Sequence, residues 1–269
     1  IPRRSNGTRG FFGDATEIGK TNGVLRISES QMDVFTSNRL ASFKEMMAKH
    51  LEALAPAHVS AMGQEDLNGF LDRAIQVARG FDVRQQETTR LWLELSMLWG
   101  IGFASDPTYA FAYEIVSSPM PELPRIRRLH AASIDYMKRA CGEKGEHFRE
   151  VLERLQFVEM PVAGAQLDDK GIAQFLAYLW PERVQVIGVE CIEALAEQTG
   201  IDATAFGSPS SNDRLLFATL GLLLGADFAT DPQYRWLVRE PADDDAARSR
   251  FDALNRRSQA YLRTVLANA

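Results

Sequence analysis

The stretch Leu91–Tyr109, LWLELSMLWGIGFASDPTY, returns 125 residues later as Leu216–Tyr234, LFATLGLLLGADFATDPQY, with no gap between the two alignments. Leu91, Leu95, Leu98, Gly100, Phe103, Ala104, Asp106, Pro107 and Tyr109 meet identical residues in the second stretch. The same offset holds outward in both directions. Leu54, Pro56, Val59 and Gly63 recur as Leu179, Pro181, Val184 and Gly188. Phe81, Leu129, Ser133 and Tyr136 recur as Phe206, Leu254, Ser258 and Tyr261. A fixed period over so long a span without insertion is the signature of a duplicated structural unit.

Each copy reads as helical. Residues 91–100 are apolar nearly all round, as a central buried helix is, and Gly100 ends them. Asp-Pro at 106–107 and 231–232 joins a favoured N-cap to a favoured first helical residue, so each pair predicts the start of a short helix. Met32, Phe35, Leu40, Phe43, Met46, Met47, Leu51 and Leu54 keep helical spacing after a capping-box pair, Ser28 and Gln31. Leu67, Phe70, Leu71, Ala74, Ile75 and Val77 give a second stripe. The region around Pro56 reads as a loop entering that helix. Its copy holds the best strand signal in the chain, Val184–Val189.

The expectation is an all-α protein of two tandem four-to-five-helix units packed together. Residues 1–23 would be a flexible or docking N-terminal arm carrying Phe11 and Phe12, 24–145 the first unit, and 146–269 a divergent second unit. Pro161–Ala165 reads as a linker where the first unit reads as helix.

Composition narrows the function. A net charge of −6 argues against a duplex-binding protein. Cys141 and Cys191 are too few for a disulfide framework and fit a reducing cytoplasm. No apolar run reaches the ~20 residues of a membrane-spanning helix. The arm lacks a signal peptide's apolar core, which predicts cytoplasmic residence and no membrane partner.

Candidate chemistry is sparse. Asp106 and Asp231 form a matched pair of acids, explained at least as well by helix capping as by catalysis. Gly13–Thr21 approaches a phosphate-binding loop but has five residues between its glycines, where the motif has four. His50, His58, His130 and His147 show no metal-ligand spacing, and the first three become Phe175, Arg183 and Asn255 in the second copy. The expectation is therefore no enzyme, no cofactor and no metal. The alternative is a metal-dependent hydrolase using acids near Asp106 and Asp231. Basic clusters on the last helix of each unit, Arg125, Arg127, Arg128, Lys138 and Arg139, then Arg248, Arg250, Arg256, Arg257 and Arg263, predict contact with an acidic partner or pairing with local acids such as Asp243–Asp245. Trp99, Trp180 and Trp236 at helix ends, with Arg127 and Arg128, are the candidate protein-binding residues.

Residues 26–140 also resemble a family of small helical bacterial proteins of unknown activity, found among type VI secretion genes near VgrG and PAAR spike components and their effectors. The resemblance rests on Arg26-Ile27-Ser28, Gln31-Met32, Phe35, Met46, His50-Leu51 and Ala78-Arg79-Gly80-Phe81. It continues through Leu93-x-Leu95, Met97, Gly102–Pro107 and Arg127-x-x-His130-x-x-Ser133-x-x-Tyr136. It implies an accessory role: an adaptor, chaperone or immunity-like partner holding an effector or spike protein, with no nucleic-acid ligand.

Overall fold

In the computed structural model, which describes residues 29–157, 167–207, 210–239 and 246–268, the chain is all helix. The helices are α1 (Glu29–Leu54), α2 (Pro56–Gly80), α3 (Gln86–Trp99), α4 (Ala110–Val116), α5 (Glu122–Cys141) and α6 (Glu146–Phe157). They continue as α7 (Asp169–Leu179), α8 (Pro181–Ile187), α9 (Val189–Phe206), α10 (Ser211–Leu224), α11 (Arg235–Val238) and α12 (Ala246–Asn268). Single 3-10 turns stand at Pro107–Tyr109 and Pro232–Tyr234, and no strand occurs among the described residues. None of these helices is long and apolar enough to cross a membrane. By compactness the chain falls into two units, Ile1–Leu40 and Ala41–Ala269.

Local chemistry sets the element ends. α3 and α10 start and stop 125 residues apart, as do the two 3-10 turns. Asp106 accepts the amide of Thr108 at 2.8 Å, and Asp231 that of Gln233 at 2.9 Å, so each Asp-Pro opens its turn as a capped start. The Pro56 region differs from the reading above. Pro56 is already the first residue of α2, and Gly63 (φ 76°, ψ 168°) kinks that helix seven residues on. Gly188 (φ 90°, ψ 157°) makes the same break between α8 and α9. The strand signal at Val184–Val189 therefore yields to a Pro-initiated helix, α8, and a glycine break.

The core is built of aromatic and aliphatic clusters. Trp92, Phe103, Tyr109, Ile126 and Tyr136 centre one; Ile172, Leu176, Leu195, Leu215 and Leu222 another; Phe217, Phe228, Tyr234, Phe251 and Leu254 a third. Helix α10 feeds the last two from opposite faces, which is why its sequence is apolar all round.

Helices α3 and α10 meet at their C-terminal glycines. A Cβ on Gly225 would lie 2.5 Å from the Trp99 carbonyl oxygen, and one on Gly100 would lie 3.3 Å from that of Leu224. Each turn is then closed by the aspartate of the other turn. The Ile101 amide donates to Asp231 Oδ2 at 2.8 Å, and the Ala226 amide donates to Asp106 Oδ2 at 2.8 Å. Ile101 and Ala226 are themselves 125 residues apart, so the two bonds are reciprocal.

Candidate functional site

Around this joint lie two corresponding polar chains. Arg183 donates to Thr108 Oγ1 at 2.8 Å, and Thr108 Oγ1 donates to Asp106 Oδ1 at 2.6 Å. At the positions 125 residues away, His58 Nε2 meets Gln233 Oε1 at 3.2 Å, and Gln233 Nε2 donates to Asp231 Oδ2 at 3.1 Å. Gln233 spends its other amide hydrogen on the Ser96 carbonyl at 2.9 Å, so its Oε1 is an acceptor and His58 Nε2 carries the proton. Nδ1 of His58 is then free to accept from the Tyr261 hydroxyl at 3.0 Å.

The two chains differ in charge. Arg183 is 2% exposed, its guanidinium 5.0 Å from the Tyr109 and Trp180 ring centres, and it also donates to the Leu222 carbonyl. Burial works against its charge, but Tyr109, Tyr136 and Asp106 outweigh that, so its pKa rises and it stays a cation. At His58 burial prevails and the pKa falls below the ordinary histidine value. The Tyr261 phenol beside it is pushed up to about 12 by burial.

A group whose folded pKa is depressed contributes stability above its unfolded pKa, and that stability is lost as pH falls through the folded pKa. The protein should therefore lose stability below about pH 6.5, by up to about 1.4 kcal/mol per pH unit, the limit for uptake of one proton. Urea unfolding at stepped pH checks this. The wild-type curve should bend and that of His58→Gln should not; parallel curves would remove His58 as the cause.

The matched aspartates are bound up in the fold. Asp106 and Asp231 are 6% and 4% exposed, and both oxygens of each accept hydrogen bonds from within the fold. No group of three or more metal-ligating side chains occurs among the described residues. His50 lies 2.8 Å from Glu94, remote in role from the other histidines. Gly13–Thr21, the arm with Phe11 and Phe12, the Ser28 cap, Pro161–Ala165 and Asp243–Asp245 lie outside the described residues.

Several members of the basic clusters are held within the fold. Arg125 donates to the Phe81 carbonyl at 2.7 Å, and Arg250 to the Phe206 carbonyl at 2.8 Å, each serving carbonyls at a helix C-terminus. Arg257 reaches the Arg239 carbonyl at 2.6 Å. Arg127 and Arg128 are exposed, the first on Glu87 at 2.7 Å and the second against the Met120 sulfur at 3.7 Å.

The tryptophans separate. Trp99 is buried and stacks on Tyr109 at 4.7 Å, and Trp180 is buried with its indole N–H on the Ala140 carbonyl at 2.8 Å. Neither can reach a partner, and core packing is the physical reason. Trp236 is half-buried and edges a cavity of about 720 Å³ with His58, Pro56 and Arg257.

A second cavity, of about 520 Å³, lies between α3 and α5 at the end of α1, and Phe148 of α6, Leu223 of α10 and Leu262 of α12 also wall it. Leu54, Leu98 and Ile134 line it and stand 58%, 48% and 46% exposed, while Leu95, Met137 and Tyr261 lie deeper. In the sequence Leu54 and Leu98 read only as matched helix positions, and Ile134 does not stand out. A signal was present: Ile134 is apolar where its counterpart, Gln259, is polar. No protein-family model, no curated protein and no solved structure matches the chain.

Proposed function

We propose that this chain is two tandem copies of one helical unit and works as a non-enzymatic, protein-binding accessory. Its role is that of a cytoplasmic adaptor or chaperone for a type VI secretion effector or spike protein. The observation that carries the reading is the α3–α5 cavity, where three large apolar side chains, Leu54, Leu98 and Ile134, stand exposed together. Exposed apolar patches of this kind mark interaction sites, whereas single exposed leucines do not. The two-copy architecture is supported by the matched bounds of α3 and α10 and by the reciprocal aspartate bonds. Those bonds also weigh against the hydrolase, since a reaction using Asp106 or Asp231 would have to open the joint between α3 and α10.

The test is capture from a lysate of the source cells with tagged full-length chain, wild type beside Leu98→Glu/Ile134→Glu. Both side chains are about half exposed, so the variant should keep its circular dichroism and melting point. Recovery of a spike or effector protein by wild type, reduced at least about tenfold in the variant, is expected, since a charge in an apolar contact costs more than 1.4 kcal/mol. Equal recovery by both would place the binding elsewhere, and no recovery would end the reading.

A further inference from the structure

The two polar chains around the joint differ in how their length is divided, as well as in charge. Both cross between the halves of the sequence. Arg183 of α8 reaches Thr108 in the turn Pro107–Tyr109 at 2.8 Å, and His58 of α2 reaches Gln233 in the turn Pro232–Tyr234 at 3.2 Å. The combined reach of the two pairs is the same. From Cβ, the guanidinium nitrogen of an arginine lies five bonds out and the hydroxyl of a threonine one, whereas histidine Nε2 and glutamine Oε1 each lie three bonds out. Thr108 and Gln233 are fully buried and Arg183 is 2% exposed, so a mismatch in length could not be relieved by swinging these side chains into water. Val186 and Ile187, one turn along α8 from Arg183, pack on the cluster of Trp92, Phe103 and Tyr136 and fix the approach of that helix.

We infer that these four residues form a pairing code: the joint accepts two unlike faces and rejects two of a kind, so each half fits the other half of the chain and not the same half of a second copy. Two second halves would set Arg183 against Gln233, a contact too long for its space, and overfilling a packed interior is destabilising. Two first halves would set His58 against Thr108, a contact too short, leaving a gap and a buried ring nitrogen without its acceptor. Selectivity of this kind comes from the fault built into the wrong pair rather than from added attraction in the right one. A chain whose two faces were identical could join through either of them to a neighbour's, and the division of length removes that option. This rests on the two-copy part of the reading above and deepens it by naming what pairs the copies with each other.

Substitutions in the full chain reproduce both wrong contacts. Thr108→Gln sets a glutamine against Arg183, and Arg183→His sets a histidine against Thr108. In urea unfolding each should raise the equilibrium constant for unfolding at least about tenfold. The double variant Thr108→Gln/Arg183→His rebuilds the contact found at the other end. Gln233 gives its second amide hydrogen to the Ser96 carbonyl, and Gly221, 125 residues further on, offers its carbonyl in the matching place. The double variant should therefore unfold at least about tenfold less readily than the two single effects multiplied together predict. His58→Arg, Gln233→Thr and their double variant repeat the measurement at the other end.

The code requires this rescue at both ends, and a single variant that fails to fold while its double variant folds counts as rescue. Effects that simply multiply at either end, or a double variant that stays unfolded, would overturn it. These unfolding curves are recorded on purified chain with no partner, so their outcome is independent of the lysate capture. Loss of the code would also leave the two-copy reading on its own supports, the matched ends of α3 and α10 and the reciprocal aspartate bonds.

Discussion

Gly225→Ala is expected to lower the free energy of unfolding by about 3–5 kcal/mol, a loss of the size that severe core defects reach. Two separate costs combine. Gly225 has φ +103° and ψ 147°, a region essentially closed to residues with a Cβ, and forcing alanine there costs on the order of 1–3 kcal/mol. The added methyl would also lie 2.5 Å from the Trp99 carbonyl oxygen, so backbone must move where the ends of α3 and α10 meet. Gly100→Ala meets the first cost at φ +90° but a milder contact of 3.3 Å, and should lose about 1–3 kcal/mol. Gly102→Ala is the control. Its φ is ordinary and its neighbour is the Asp227 side chain, which can swing away. Urea unfolding should rank the three as Gly225, Gly100, Gly102. Equal losses for the first and last would show that the glycine contact does not hold the helices together.

Asp106→Ala is expected to cost about 2–4 kcal/mol by the same measurement. It strips partners from the Thr108 amide, the Thr108 hydroxyl and the Ala226 amide in a buried setting, and each orphaned donor costs on the order of 1–3 kcal/mol before relaxation. Asp231→Ala removes the equivalent bonds from Ile101 and Gln233. Its loss should be smaller, because burial raises the Asp231 pKa and so takes back part of what its hydrogen bonds contribute. That shift fixes a sign: stability from a raised carboxyl is present below its unfolded pKa and declines as pH rises through the folded value. Because both aspartates clamp one joint, the double variant should lose less than the two single losses added together. Strict additivity would mean that the joint is two independent contacts.

Much of this fold is written in local chemistry. The ends of α3 and α10 follow from Gly100 and Gly225, and the 3-10 turns follow from Asp-Pro, because capping depends on neighbours two or three residues away. The start of α2 was misplaced because Pro56 serves as readily in a loop as at a helix start, and only the chain beyond Gly63 had clear periodicity. Direction of a side chain at a helix end was not legible. Trp99 and Trp180 point inward where Leu98, one residue before Trp99, points out. Nor could spacing reveal that Asp106 reaches past its own turn to Ala226, since a tertiary partner leaves no mark in the local pattern. The exchange of His58 for Arg183 was visible as a substitution, but that both sit at the end of an aspartate chain needed coordinates.

The reciprocal clamp also dictates an order of events on the ribosome. Asp106 waits for an amide 120 residues further along, and Ile101 for a carboxylate 130 residues further along. Until that length has emerged, the turn after α3 has no partner, and the buried face of α3 has no α10 to cover its end. The cluster centred on Trp92, Phe103 and Tyr136 is drawn from the first half alone and can form early, but the joint itself closes late. The cavity beside α3 and α5, which takes Tyr234 and Tyr261 into its wall, is therefore itself unfinished until nearly the whole chain has been made.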